Sequence, residues 1–152
     1  MDVNLINPFV GAITGVLPQL GFTSVTRKGL SLGSKSIKAD GVVLNLGIVG
    51  EKTGNVVYAI SEETAKKIAS TMMMGMPVDT LDDMAKSAVS EMSNMITANS
   101  TINFSNDGVN VDISVPTMLC GSGISIEMSK DQVITVIFDV DGMEFTVHVS
   151  ID

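Results

Sequence analysis

The sequence predicts an α+β domain, a predominantly antiparallel sheet covered by helices, on three observations. Segments of helical and of alternating periodicity follow one another as helix, three strands, two helices, four strands. Short turn signals join several of the strands as hairpins, most clearly Asp141-Gly142. The two halves share a helix-then-strands plan, which leaves room for an internal pseudo-duplication. No linker, charge block or low-complexity tract divides the 152 residues, so one domain over 1–152 is expected, long enough to bury a core without metals or disulfides.

The first helix is expected over Asn7–Leu20, with Asn7 as N-cap, Pro8 at the first helical position and Gly21 as terminator. Val10, Ile13, Leu17 and Leu20 form its apolar stripe, and Pro18 makes its last turn irregular. "FTSVTRKGL" reads as a strand. "DGVVLNLGIVG" alternates, with Val42, Leu44, Leu46 and Ile48 on one face, and "EKTG" turns it into "NVVYAI". Ser61 caps the second helix, Glu62 and Glu63 suit its positive N-terminal end, and Gly75 with Pro77 ends it. Thr80 with Asp83 opens a long third helix to about Ser100. "NFSNDG" reads as a loop, followed by the strands "VNVDISV", "ISIEM", "QVITVIFDV" and "MEFTVHVSI". In the last of these Met143, Phe145, Val147, Val149 and Ile151 face one way, and Glu144, Thr146, His148 and Ser150 the other.

Composition narrows the functional classes. Hydrophobic residues make up 45% of the chain, charged residues 17%, and the net charge is −8, which argues against a nucleic-acid backbone or an anionic membrane surface as partner. One Tyr, five Phe and no Trp supply little for base stacking. Mean hydropathy is +0.38, yet no uninterrupted apolar run approaches a membrane span of about twenty residues. The opening "MDVNLINPFVG" lacks the basic segment of a signal peptide. A single cysteine, Cys120, fits a reducing cytoplasm and is expected to be buried and inert, and the eleven methionines are expected to fill core gaps.

Few side chains remain for chemistry. His148 is the only histidine, and its place on the polar face of a strand reads as a solvated residue. "DVDG" at 139–142 lacks the other ligands of a calcium loop, and "GSG" at 121–123 precedes no helix that would cradle phosphate. The stretch "SAVSEMSNMITAN" is different. On a helix advancing about 100° per residue, Ser87, Glu91 and Asn94 fall at i, i+4 and i+7 and share one exposed flank, with Ala98 beside them. Leu81, Met84, Ala85, Ala88, Met92, Met95 and Ile96 form the expected apolar arc, with Asp83, Lys86, Ser90 and Thr97 in solvent. Taken alone, such a trio also serves ordinary solubility.

The chain resembles the CheX branch of the CheC/CheX/FliY chemotaxis phosphatases. Their motif is Asp or Ser, three residues, Glu, two residues, Asn, and later Pro, matched here by Ser87, Glu91, Asn94 and, about one residue early, Pro116. The likeness extends over "MDVNLINPF", "GVVLNLGIVGEKTGNVVYAISEETAKKIAS", the motif helix and "SVPTMLCG", nearly the whole chain. CheC-type members carry the motif twice, but the first helix here, "NPFVGAITGVLPQL", has no acidic residue, so one site per chain is implied.

The resemblance implies a cytoplasmic phosphatase, working as a homodimer, whose substrate is a phosphorylated CheY-type response regulator. That regulator would carry the phosphoaspartate and a Mg²⁺ ion, with no cofactor held by this chain. Glu91 would pair with the regulator's lysine, Ser87 would be a lesser contact, and Asn94 would hold the attacking water. A neutral amide suits that task because it both donates and accepts without repelling the phosphoryl group. The alternative is a non-catalytic receiver-binding adaptor, or a dimerisation module, of the same fold.

Overall fold

The computed structural model describes residues 3–152. A 3-10 turn over Val3–Ile6 runs directly into α1 (Asn7–Leu20), so Asn7 is already helical and caps nothing, while Pro8 sits in the first turn as expected. Then come β1 (Val25–Gly33), β2 (Ser36–Gly50), β3 (Gly54–Ile60), α2 (Glu62–Met72), α3 (Asp83–Asn106), β4 (Val111–Ile113), β5 (Thr117–Glu127), β6 (Val133–Val140) and β7 (Met143–Ile151). The element order is the one the periodicities predict.

All seven strands form one sheet in the order β1-β6-β7-β3-β2-β4, with β5 also on β2, and every pairing is antiparallel. The order carries a pseudo-two-fold. With β4 and α2 set aside, exchanging β1 with β5, β2 with β6 and β3 with β7 reverses the order of the other six strands onto itself and puts α1 in the place of α3. Each half gives one strand to the other, since β1 pairs with β6 and β5 with β2.

The helices lie on one face. There the predicted faces of β2 and β7 meet α1 and α3: Val42, Leu44, Leu46, Ile48, Phe145, Val147, Val149 and Ile151 are all buried in one cluster with Phe9, Ile13, Leu17, Met92 and Ile96. Non-directional apolar burial of this size is the main stabilising term. A smaller cluster of Ile37, Val43, Val57, Met128 and Val133 sits on the other face, along the N-terminal part of β2.

Several boundaries differ from expectation, each for a tertiary reason. α3 continues through "NFSN" to Asn106 because Phe104 is buried edge-on against Phe9 (5.6 Å between ring centres) and the Asn103 amide donates to the Pro8 carbonyl at 2.9 Å. Its N-cap is Asp82, whose carboxylate accepts from the Ala85 N–H at 2.9 Å, rather than the Thr80–Asp83 pair. β5 spans 11 residues instead of the short "ISIEM", because Gly121–Gly123 is a bulge within the strand and not a turn. The Asp40 carboxylate accepts from the Gly123 N–H at 2.7 Å there. At the same place Gly41 has φ +108°, and a Cβ on it would stand 2.6 Å from the Ile60 carbonyl oxygen.

Other signals fall where predicted. Ser61 accepts from the Thr64 N–H at 3.0 Å at the head of α2. Asp141 and Gly142 both have positive φ, the requirement of the tight type I′ hairpin.

Candidate functional site

α3 is a helix of 24 residues with no Gly or Pro from end to end, started by the Asp82 cap and helped by Asp83 in its first turn. Its length is about 36 Å at 1.5 Å per residue. Its buried side is Ala85, Val89, Met92, Ser93, Ile96, Thr97, Ser100 and Phe104. Half of that side is small or hydroxylated, and the hydroxyls are satisfied locally. Ser93 donates to the Ser90 carbonyl at 2.7 Å, Thr97 to that of Ser93 at 2.7 Å and Ser100 to that of Thr97 at 2.5 Å.

The buried side is therefore rotated from the predicted apolar arc. Met84 and Met95, expected in the core, are 64% and 36% exposed, while Thr97, expected in solvent, is fully buried. The reason is a partner that sequence periodicity does not reveal. The Tyr58 hydroxyl on β3 lies 2.8 Å from Thr97 Oγ1 and makes a hydroxyl a good core residue.

This rotation leaves Ser87 and Glu91 exposed and Asn94 half-buried on the outer side of α3. They share it with Met84, Met95 and Ile102, the last 57% exposed, in a line that runs much of the helix. A carboxylate and an amide thus stand among uncovered apolar side chains, instead of among the charged residues usual on a solvent face. Among the described residues neither Glu91 nor Asn94 has a side-chain hydrogen bond or ion pair. Their polar atoms are uncommitted.

The surface is convex. Beside it runs a groove of about 670 Å³ between the first half of α3 and β5, lined by Asp83, Lys86, Ser87, Ser90, Met118 and Cys120. Ser87 lies on its rim, and Glu91 and Asn94 stand outside it. Pro116 is half-buried at the entry to β5, two residues before Met118. Cys120 is exposed, against expectation. It pairs with Val42 and so points to the helix side, but on an edge strand where the helix cover ends. Four sequence-predicted positions, Ser87, Glu91, Asn94 and Pro116, are thus distributed over one helix flank and the start of the adjoining edge strand. Helical periodicity assigns Met84 and Met95 to the core, so it does not reveal their place on this surface, and Ile102 lies beyond the helix end expected near Ser100.

Elsewhere, His148 is half-buried on β7 with Nδ1 2.8 Å from Thr135 Oγ1, and burial lowers its pKa from the ordinary 6.5. Among the described residues no three His, Cys, Asp or Glu side chains converge as a metal site would require.

Comparison with known proteins agrees with this architecture. The profile described as "Chemotaxis phosphatase CheX" matches residues 42–139, nearly two thirds of the chain. The CheY-P phosphatase CheX of Thermotoga maritima is 32% identical over 128 residues, which span 84% of this chain and 82% of that protein. The crystal structure of a chemotaxis protein CheX from Desulfovibrio desulfuricans superposes with a TM-score of 0.88 at 25% identity, covering 99% of this chain and all of the other. The chain in the CheX–CheY–BeF3–Mg²⁺ complex from Borrelia burgdorferi matches with a TM-score of 0.79 at 28% identity, over 98% of both chains. The chain belongs to the CheX family of chemotaxis phosphatases.

Proposed function

We propose that this chain dephosphorylates a phosphorylated CheY-type response regulator by inserting the outer side of α3, amide first, into the regulator's active site. The observation that carries the proposal is the placement of Glu91 and Asn94, whose side chains have no hydrogen-bond or ion-pair partner among the described residues, on an outer helix flank bordered by Met84, Met95 and Ile102. A convex surface suits entry into another protein's concavity, and its apolar border suits a protein partner. The name of the Thermotoga relative and the Borrelia complex with CheY support the choice of partner.

The chemistry asked of this chain is small. Aspartyl phosphate is an acyl phosphate, so its carboxylate leaves readily once water stands in line with phosphorus. Attack forms the new P–O bond as the bond to the aspartyl oxygen breaks, and the water's proton leaves with phosphate or solvent. Phosphoryl transfer of this kind rewards positioning and charge neutralisation. The Asn94 side-chain carbonyl accepts a hydrogen bond from the water and orients it, without taking its proton. Glu91 pairs with the regulator's lysine and sets the register of docking, and Ser87 adds a lesser contact at the groove rim. Mg²⁺ enters with the regulator.

The proposal places the protein in the cytoplasm with its substrate. Val3–Leu20 has the length and apolarity of a membrane span, but Phe9, Ala12, Ile13, Val16 and Leu17 within it are buried in the core of this fold. The proposal also includes a homodimer joined along a sheet edge. The predicted apolar face of β7 is already core, so the contact is assigned to β1, whose outer edge is unpaired among the described residues and which exposes Leu30 and Leu32.

The test is the decay rate of a phosphorylated, Mg²⁺-loaded receiver from the same organism. Native protein accelerates decay. Asn94→Ala still binds but loses about a hundredfold in kcat, and Glu91→Ala raises KM. Acceleration that survives Asn94→Ala removes the water-positioning role. Binding of every receiver without acceleration leaves an adaptor.

A further inference from the structure

We infer that Tyr58 and Thr97 are a positioning pair, in which the Tyr58 hydroxyl, acting through Thr97, sets the rotation of α3 about its axis and so the direction in which Glu91 and Asn94 project. The inference deepens the functional reading above and rests on it for its catalytic consequence.

Tyr58 stands on β3, fully buried, with its ring 5.9 Å from that of Phe145 and its hydroxyl 2.8 Å from Thr97 Oγ1. Thr97 has one hydroxyl proton and gives it to the Ser93 carbonyl at 2.7 Å, so Tyr58 must be the donor in the first bond. Burial raises the phenol pKa far above its usual value, which keeps that donor proton in place. Ser93 in turn donates to the Ser90 carbonyl at 2.7 Å, the same carbonyl that helix geometry offers to the Asn94 N–H. A hydrogen-bonded line therefore runs from the sheet, through Thr97 and Ser93, to the turn that carries Glu91 and Asn94.

The rest of the contact cannot set rotation as closely. Around Thr97, Ala85, Val89, Met92, Ser93, Ile96 and Ser100 meet the core by non-directional apolar and small-residue packing, and the directional contacts of Phe104 and Asn103 hold only the last turns, against α1. No other side-chain-to-side-chain hydrogen bond joins the sheet to α3 among the described residues. The leverage is large. A side-chain amide about 6 Å from the helix axis moves about 1 Å for each 10° of rotation, and a misplacement of about 1 Å can slow a positioned reaction by about a hundredfold.

The test compares native protein with Tyr58→Phe, Thr97→Val, both together, and Thr97→Ser. The readouts are kcat and KM on the phosphorylated, Mg²⁺-loaded receiver, the unfolding midpoint, and crystal structures of the native protein and the Tyr58→Phe variant. Both single variants should lose about tenfold or more in kcat, with a rise in KM smaller than that of Glu91→Ala because the displaced carboxylate is still present, the double variant should be no slower than the slower single, and Thr97→Ser should keep native kcat and KM. Stability should follow a different order. Thr97→Val strands the buried phenol and is the least stable, and adding Tyr58→Phe recovers stability because the stranded donor is gone. kcat should stay low in that more stable double variant. A kcat that rises and falls with stability, or native kcat in folded Tyr58→Phe, overturns the inference. Should the native protein fail to accelerate decay at all, the functional reading falls separately, and the crystal structures decide. An α3 turned by about 10° or more in Tyr58→Phe upholds the positioning role, and one that superposes on the native helix overturns it.

Discussion

The His148 ring on β7 lies half-buried, with Nδ1 2.8 Å from the Thr135 hydroxyl. Alternation along β7 places it on the polar side of the sheet, and there it is packed instead of solvated. Burial disfavours the imidazolium, so its pKa lies below the 6.5 it would have unfolded. The sign follows directly. Above 6.5 both states hold the neutral ring and its contribution to stability is complete, while below 6.5 the unfolded chain takes up the proton first and stability falls until the folded pKa is reached. Unfolding midpoints measured between neutral pH and about pH 5.5 should therefore drop more steeply for native protein than for His148→Gln. Equal slopes would show that the ring titrates alike in both states. Asp141 is the contrasting case, where a local signal holds. Its left-handed φ makes the β6–β7 turn, and its carboxylate accepts from the Thr23 N–H at 3.0 Å and the Ser24 N–H at 2.6 Å.

Among the elements, α3 decides the most. Its start was legible to within a residue or two from the acidic and threonine residues before Met84, because capping is local chemistry. Its end was not, since "NFSN" has poor helix propensity and is held by contacts with α1 from the other end of the chain. Phe104→Ala should accordingly cost about 3–5 kcal/mol in denaturant unfolding through the cavity left against Phe9. It should also free the turn holding Asn103 from Pro8, read as faster amide exchange over residues 101–106. A loss under about 1 kcal/mol would mean that the last turn is not anchored there. The rotation of the helix was equally illegible. Periodicity sorts residues by hydrophobicity, and a face built of Ser, Thr and Ala opposite a face bearing Met84, Met95 and Ile102 misleads that sorting. The trio itself still fell together, because i, i+4 and i+7 share a flank whatever the azimuth.

At the scale of the whole molecule, the pseudo-two-fold gives two equivalent helix positions and only one equipped with an acid and an amide. α1 supplies "NPFVGAITGVLPQL" where α3 supplies Glu91 and Asn94, and its apolar residues are buried against α3 and the sheet. The sheet keeps two open edges, and the β1 edge with Leu30 and Leu32 is the one assigned to a second copy. Light scattering should give about twice the 16.0 kDa chain mass. Replacing Leu30 and Leu32 together by Lys should return a monomer, since a charge on an exposed edge opposes strand pairing. A monomeric native protein at micromolar concentration would remove the dimer from the proposal.

By itself the sequence determined the order and type of the elements, the tight Asp141-Gly142 hairpin, the helix starts to within a residue or two and the sharing of one flank by Ser87, Glu91 and Asn94. All of these depend on residues within a few positions of one another, where spacing and backbone chemistry act directly. Tertiary structure alone decided which side of α3 faces the core, how far α3 and β5 extend, that Cys120 lies in a groove, and that each half lends a strand to the other. These depend on partners distant in sequence, such as Tyr58 for Thr97, Phe9 for Phe104 and β2 for β5, and no local pattern encodes which distant partner a side chain will meet.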